Sequence, residues 1–396
     1  MLSNRLPPHS ETNRLTRAVR ALRAAGIAII DLTESNPTAV GIAYPGDLFD
    51  EFSAARVGRY DPQALGLDSA REAVAADYSR RGARVDPAQV VLSASSSEAY
   101  SWLFKLLCNP GDAVLVPQPS YPLFEHLTRL ESVHAVPYQL RFHGRWEIDF
   151  DSVLEAPANV RALLLVSPNN PTGSYVRRDE VHELAEICRS RRWAIVADEV
   201  FADYPLDIGA APTESVMDLE VLSFTLGGAS KSLGLPQIKL GWMVVGGKAP
   251  ERGRALAALE IIADTFLSVG TPVQTAAPSL LARGEVIRGQ IRQRIASNLA
   301  CAREVATQCS SCTLLPVEGG WSLVARVPAL RSEDDLVVEL LEQERVLVHP
   351  GYFFDFPHEA FIIVSLIPPT DQFADAFGRA LRFASSETSS IREHRR

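Results

Sequence analysis

A chain of 396 residues is longer than one ordinary hydrophobic core supports, which predicts two domains or a large α/β domain with a smaller companion. Hydrophobic residues at 46% and charged residues at 22% exclude a disordered chain, a collagen and a coiled coil. The formal net charge of -9 provides no cationic field for nucleic-acid backbones or anionic lipid, so neither is expected as a partner.

In chain order, the first 13 or so residues are polar and proline-bearing, and Leu15, Val19 and Leu22 then mark one face of a helix that Gly26 can close. Residues 27–32 read as a strand. From about residue 68 to residue 275, apolar strand-like runs alternate with helical patterns. The strands are expected at 90–92, 113–116, 160–166, 193–197, 221–226 and 240–245, and the helices at 96–108, 123–130 and 179–191. Such spacing predicts a mainly parallel sheet with helices on both faces. After about residue 284 the texture changes to a long charged helix, short strands at 322–327, 346–349 and 361–366, and two further helices, the pattern of a smaller α+β domain.

Cys108, Cys188, Cys301, Cys309 and Cys312 form an odd, sparse set, the usage of reduced cytoplasmic thiols rather than of a disulfide framework. The single Cys309-x-x-Cys312 has no second pair at zinc spacing, and no metal is expected. The N-terminal MLSNRLPPHSETNRL has no apolar run of the kind a secretory signal carries, and no stretch approaches the roughly 20 apolar residues that span a bilayer. A cytoplasmic protein without a membrane partner is expected.

In an open parallel sheet, ligands sit beyond the carboxyl ends of the strands. Four polar clusters fall there. Residues 160–166 run into Ser167-Pro168-Asn169-Asn170-Pro171-Thr172-Gly173, and 193–197 end in Asp198-Glu199. Residues 221–226 lead into Gly227-Gly228-Ala229-Ser230-Lys231-Ser232, and the strand at 90–92 opens into Ser93 to Glu98 at a helix start. Each alone is an ordinary turn, cap or surface charge. Together they supply an amide, a carboxylate, an amine and an anion-binding helix start on one sheet edge.

These clusters, with Tyr60, Gly66, Asn109-Pro110-Gly111-Asp112, Pro119-Ser120-Tyr121-Pro122 and Gly241-Trp242, resemble in order and spacing the pyridoxal-phosphate (PLP) aminotransferases of class I/II, the aspartate aminotransferase family of fold type I. The resemblance covers nearly the whole chain. It implies an α/β fold whose large domain carries a mainly parallel seven-stranded sheet flanked by helices, plus a smaller α+β domain. Residues 46–283 would form the large domain and 284–396 the small one, to which 1–45 would contribute.

It also implies a ping-pong aminotransferase that moves an amino group from an amino donor to a keto acceptor. Lys231 would form the Schiff base with pyridoxal 5'-phosphate and carry the proton; Asp198 would keep the pyridine nitrogen protonated so that the ring acts as an electron sink. Asn170 would hydrogen-bond the cofactor O3′ and Tyr121 would stack on its ring. Ser96 and Ser97 would form the phosphate cup, with Ser230 and Lys239 also binding the cofactor. Tyr60 would reach the phosphate of the neighbouring subunit, which makes a homodimer the expected assembly.

Four positions depart from the pattern. Lys239 stands where an arginine is usual, keeping the charge without the bidentate fork. Phe201 replaces a tyrosine that bonds O3′. Ile363, before Val364-Ser365, occupies the place of the arginine that clamps the substrate α-carboxylate. Ser35 replaces a common glycine. Trp321, Tyr352, Phe353 and Phe354 are candidates for the pocket wall or for packing, and His349 shows no metal-ligand spacing. The departures leave a β-lyase, cyclase or oxidase reaction on the same scaffold as the alternative. A non-catalytic PLP-binding regulatory domain is a more distant one, because only about 90 residues precede the serine cup and the enzyme fold needs them.

Overall fold

The computed structural model of the protein describes residues 3–7, 12–53, 55–207 and 215–386. Its strands, in chain order, are β1 (Ile30–Asp31), β2 (Val90–Ser93), β3 (Ala113–Gln118), β4 (His134–Phe142), β5 (Trp146–Ile148), β6 (Val160–Val166) and β7 (Ala194–Asp198). They continue with β8 (Ser223–Gly228), β9 (Gly241–Gly246), β10 (Thr313–Leu314), β11 (Ser322–Arg326), β12 (Val346–Leu347), β13 (His349–Pro350) and β14 (Phe361–Ser365).

Strands β2 to β9 form one sheet in the order β2-β9-β8-β7-β6-β3-β4-β5. Pairing is parallel from β4 through β3, β6 and β7 to β8, whereas β9 runs antiparallel between β8 and β2. The expected seven strands are therefore joined by an eighth, because β4 turns back as an antiparallel hairpin into β5. Strand β4 is half-buried and mixed in polarity, so it lacks the continuous apolar run by which the other strands are readable.

Strands β6, β7, β8 and β9 are almost wholly buried, as a sheet covered on both faces must be. The period of two divides their side chains. Ala162, Leu164 and Val166 pack with Val196, Phe224 and helices Ser96–Leu107 and Ala249–Phe266 on one face; Leu163, Leu165, Ile195 and Ala197 pack with helix Arg178–Arg191 on the other. Strands β10, β11, β14 and β13 make a second, four-stranded sheet. The predicted strand at 27–32 shortens to β1, which pairs in parallel with β12 far along the chain. One apolar cluster runs from Leu32 and Val40 through Val90 and Trp242 to Phe373 and Phe377, so the N-terminal segment, the β2–β9 edge and the last helix share a core.

Chain reversal puts the carboxyl ends of β2, β3, β6, β7 and β8 on one edge, and the sheet order changes direction where β3 sits beside β6. That is where an open α/β sheet leaves a crevice. The loop after β6 is anchored there by Gly173, which adopts φ +68° and accepts hydrogen bonds from the N–H groups of Glu318 and Gly319 at 3.1 and 2.9 Å. A Cβ at this position would collide with the Val317 side chain and lie 2.7 Å from the Gly319 carbonyl oxygen. Gly173→Ala is expected to cost about 3 kcal/mol through overpacking and a left-handed non-glycine backbone, read as a lowered urea midpoint at unchanged slope. At the far end of the second sheet, the Cys309 and Cys312 sulfurs lie 3.3 Å apart as free thiols. No helix among the described residues is long and apolar enough to cross a membrane.

Candidate active site

A cavity of about 400 Å³ opens at the crevice, lined by residues from both sheets and from the N-terminal segment. Its floor is built from strand ends. Asp198 is the last residue of β7, Gly228 the last of β8 and Val166 the last of β6. Lys231 follows in the single turn Ala229–Ser232, where the small residues before it let the chain reverse close to β9. The Ala229 N–H donates to the Leu240 carbonyl at 2.9 Å, and Tyr204 Oη donates to the Lys231 carbonyl at 2.7 Å, which ties the turn down from both sides.

Asp198 is buried at 6% exposure. Its carboxylate accepts from Tyr100 Oη at 3.1 Å and from the Val200 N–H at 3.1 Å. Burial pushes its pKa from 3.8 up to about 6, and these two hydrogen bonds with the nearby Lys231 only partly oppose that. Burial likewise pushes the Lys231 amine from 10.5 down to about 8, against the pull of Asp198 and Glu34. Two aromatic faces cover the amine: its Nζ lies 5.0 Å from the Trp321 ring centre and 5.5 Å from that of Phe201.

Helix Ser96–Leu107 begins at the cavity. Ser95 caps it, its Oγ accepting from the Glu98 N–H at 3.1 Å, and the first N–H with a helical acceptor is that of Ala99. The N–H groups of Ser96 and Ser97 thus point out of the helix start as donors for an anion, with the helix dipole behind them. Gly241 keeps this start next to the strand that follows Lys239, since a Cβ there would lie 2.9 Å from the Ser95 carbonyl carbon. Ser322 Oγ donates to Asn170 Oδ1 at 3.1 Å, leaving the Asn170 amide N–H groups for the cavity.

Of the residues singled out in the sequence, Ser96, Ser97, Tyr121, Asn170, Asp198, Ser230, Lys231 and Lys239 all line this cavity. So do Ser35, Phe201, Trp321, His349, Phe353, Phe354 and Ile363. Tyr60 does not: it is 75% exposed and borders a separate small hollow beside Trp102 and Gln274. Tyr352 also turns away, its hydroxyl reaching Asp334 at 3.3 Å. Trp321 serves both roles open to it, packing edge-on against Phe201 and Tyr204 while facing the cavity.

A family model described as aminotransferase class I and II matches residues 53–371. The chain belongs to the class I and II aminotransferases. It is therefore an enzyme, a transaminase. The glutamate-pyruvate aminotransferase AlaA of Haemophilus influenzae is 26% identical over 390 residues, covering 96% of this chain and 94% of that protein. The alanine aminotransferase of Mycobacterium bovis is 24% identical over 375 residues, 92% of this chain and 87% of that protein. Among solved structures, an Escherichia coli aminotransferase superposes with a TM-score of 0.84 at 24% identity, covering 96% of this chain and 99% of that one. The aspartate aminotransferase of Thermotoga maritima does so with a TM-score of 0.83 at 22% identity, over 96% and 99%. The fold is that of the aspartate aminotransferases, fold type I.

At this aminotransferase's site, sequence reasoning missed Tyr100 and Thr33 and left the role of Ser95 undivided from that of its neighbours. Tyr100 reaches Asp198 across 98 positions, and only its place one turn after Ser96 on the same helix points inward. Ser95 is the helix cap rather than part of the anion site, a distinction that Ser95-Ser96-Ser97 cannot make by itself. Thr33, whose hydroxyl donates to Asp31 Oδ1 at 2.6 Å, enters from the N-terminal segment.

Proposed function

We propose that this aminotransferase uses pyridoxal 5'-phosphate, held in the cavity by Lys231, Asp198, Asn170, Tyr121 and the Ser96–Ser97 helix start, to move an amino group from an amino donor to a keto acceptor in two half-reactions. The observation that carries the reading is the juxtaposition of Asp198 and Lys231. A carboxylate buried to this degree, with hydrogen bonds and no ion pair among the described residues, fits a cationic ring nitrogen as its missing partner. The donor set fits the rest of the group: N–H donors at a helix start and Lys239 for a phosphate, Ser230 beside them, an amide for a phenolic oxygen and an aromatic ring for the pyridine face.

When bound, PLP supplies an electron-withdrawing ring that takes up the electrons left as the substrate Cα loses its proton. The chain's residues do the remainder. Asp198 keeps a proton on the ring nitrogen. Lys231, its amine near pKa 8, takes the proton from the substrate Cα and returns it, close enough to neutrality to act in both directions. Phe201 and Trp321 close the aromatic wall over the amine and exclude water from it.

The division into residues 1–45, 46–283 and 284–396 is supported by the two sheets, one between Val90 and Gly246 and the other between Thr313 and Ser365, with β1 joined to the latter region through β12. A homodimer in which Tyr60 serves the neighbouring cavity is supported by its 75% exposure on a hollow shared with Trp102, against which the 52% exposed Phe266 stacks. Five free cysteines favour a cytoplasmic location.

The test is the first half-reaction. Purified enzyme loaded with PLP is expected to lose its visible absorbance band on addition of an amino donor without acceptor, releasing one equivalent of carbonyl product. Pyruvate, suggested by the names of the relatives, is the first acceptor to add, and it should restore the band. Release of ammonia in place of an aminated acceptor would overturn the transfer reading in favour of a lyase or oxidase.

A further inference from the structure

A carboxylate leaving water is best compensated by a cation, and among the described residues the substrate end of this cavity has none. None of the lining residues is an arginine. Of its two lysines, Lys231 is the reacting amine, and Lys239 stands two residues before Gly241 on the side of the Ser95 turn. His349 is stacked on Phe353 with ring centres 4.8 Å apart, and burial pushes its imidazole down to about 4, leaving it neutral at pH 7.

The nearby charges have the wrong sign for an anion. Glu34 bears on Lys231 and Asp31 on His349. Two hydroxyls already donate their hydrogen bonds, Ser322 to Asn170 Oδ1 at 3.1 Å and Thr33 to Asp31 Oδ1 at 2.6 Å, so they present acceptor lone pairs to a ligand. Phe201, Phe353, Phe354 and Ile363 add apolar wall, with Ser35 and Ser365 among them; the side-chain N–H donors that remain, those of Asn170 and the partnerless Trp321 indole, are neutral. Ile363 faces the cavity from β14, and its neighbour Ile362 packs into the main core, so a one-residue shift in register brings in no cation either.

We propose that the preferred amino donor is a primary amine whose reacting carbon carries an apolar or aromatic group and no free carboxylate: an arylalkyl amine or an amino-acid amide. This rests on the aminotransferase reading of the same cavity. In the half-reaction the donor's C–N bond breaks and its carbon is oxidised by two electrons to a carbonyl. The aldehyde carbon of PLP is reduced and takes the nitrogen as pyridoxamine phosphate, and oxygen passes the other way through water. A wall with neutral donors, accepting hydroxyls and a negative bias from Glu34 and Asp31 favours an uncharged carboxamide or a plain alkyl group over a carboxylate, and the aromatic residues hold the apolar substituent.

The experiment uses PLP-loaded enzyme without acceptor and three donors that share one benzyl group: L-phenylalanine, L-phenylalaninamide and 2-phenylethylamine. The reading is the rate of loss of the Lys231-dependent visible band, with carbonyl product counted. At least one uncharged member is expected to react on the order of 100-fold faster than phenylalanine at equal concentration. Phenylalanine reacting as fast as either analogue would overturn the proposal and leave the aminotransferase intact, its cation then coming from the second subunit. A band that none of the three donors bleaches also overturns the proposed donor class. Absence of any Lys231-dependent band would overturn the reading of the cavity itself and the proposal with it. Ile363→Arg, placing a guanidinium on the apolar wall, should move the preference at least tenfold toward phenylalanine; an unchanged preference would remove Ile363 from the substrate end.

Discussion

Lys231→Ala is expected to lower transamination by at least about 10⁴-fold and to abolish the visible band given by added PLP, because the variant loses both the attachment point and the base for the Cα proton. The effect is expected without unfolding. In the folded chain the amine protonates near pH 8 rather than 10.5, so the unfolded state binds more protons between those values. Stability therefore rises with pH through that window, and below pH 8 the buried charge is wholly a cost to the fold. Alanine removes the cost. A melting temperature at or above that of the parent at pH 7, together with lost activity and a lost band, separates a chemical role from a structural one; retained activity would exclude Lys231 as the reacting amine.

The second large effect concerns Asp198→Asn. The amide keeps the shape and can accept from the Val200 N–H or the Tyr100 hydroxyl, but it carries no charge for a ring nitrogen. Activity should fall on the order of 10³-fold, the scale on which removal of a preorganised electrostatic group acts. Stability of the cofactor-free protein should move the other way. Asp198 titrates near pH 6 in the fold against 3.8 when exposed, so the folded chain binds more protons in that window and stability falls as pH rises through it. Above pH 6 the buried carboxylate costs about 3 kcal/mol, at roughly 1.4 kcal/mol per pH unit. The variant should thus melt higher than the parent at pH 8, and the gain should shrink at pH 5, where the parent carboxyl is mostly protonated. A variant less stable than the parent at pH 8 would show that Asp198 is ion-paired in the free enzyme, where the described residues give it hydrogen bonds and no ion pair.

Much of the site was legible because its parts are local. Asn170, Asp198, Lys231 and the Ser96–Ser97 turn each sit within a few residues of a strand end, and an apolar run followed by small or polar residues announces such a place in the sequence. The parallel sheet was legible for the same reason, through strands that are apolar on both faces. Strand β4 escaped notice because one edge of the sheet is wet and its residues are mixed. The role of Tyr100, the pairing of β1 with β12 and the arrival of Thr33 at the cavity depend on contacts across long stretches of chain, and no local pattern encodes them.

The sequence by itself determined the chemistry on offer: an amine, a carboxylate, an amide and an anion-binding helix start in a fixed order along alternating strands and helices, and isoleucine where a carboxylate clamp would stand. Only the tertiary structure decided how those groups behave. Burial raises the Asp198 pKa and lowers that of Lys231, moving both toward neutrality. Burial also leaves His349 uncharged and brings Phe201, Trp321 and Ile363 together as one wall. Desolvation and the field of distant neighbours are properties of packed space, and they exist only once both sheets and the N-terminal segment have closed around the crevice.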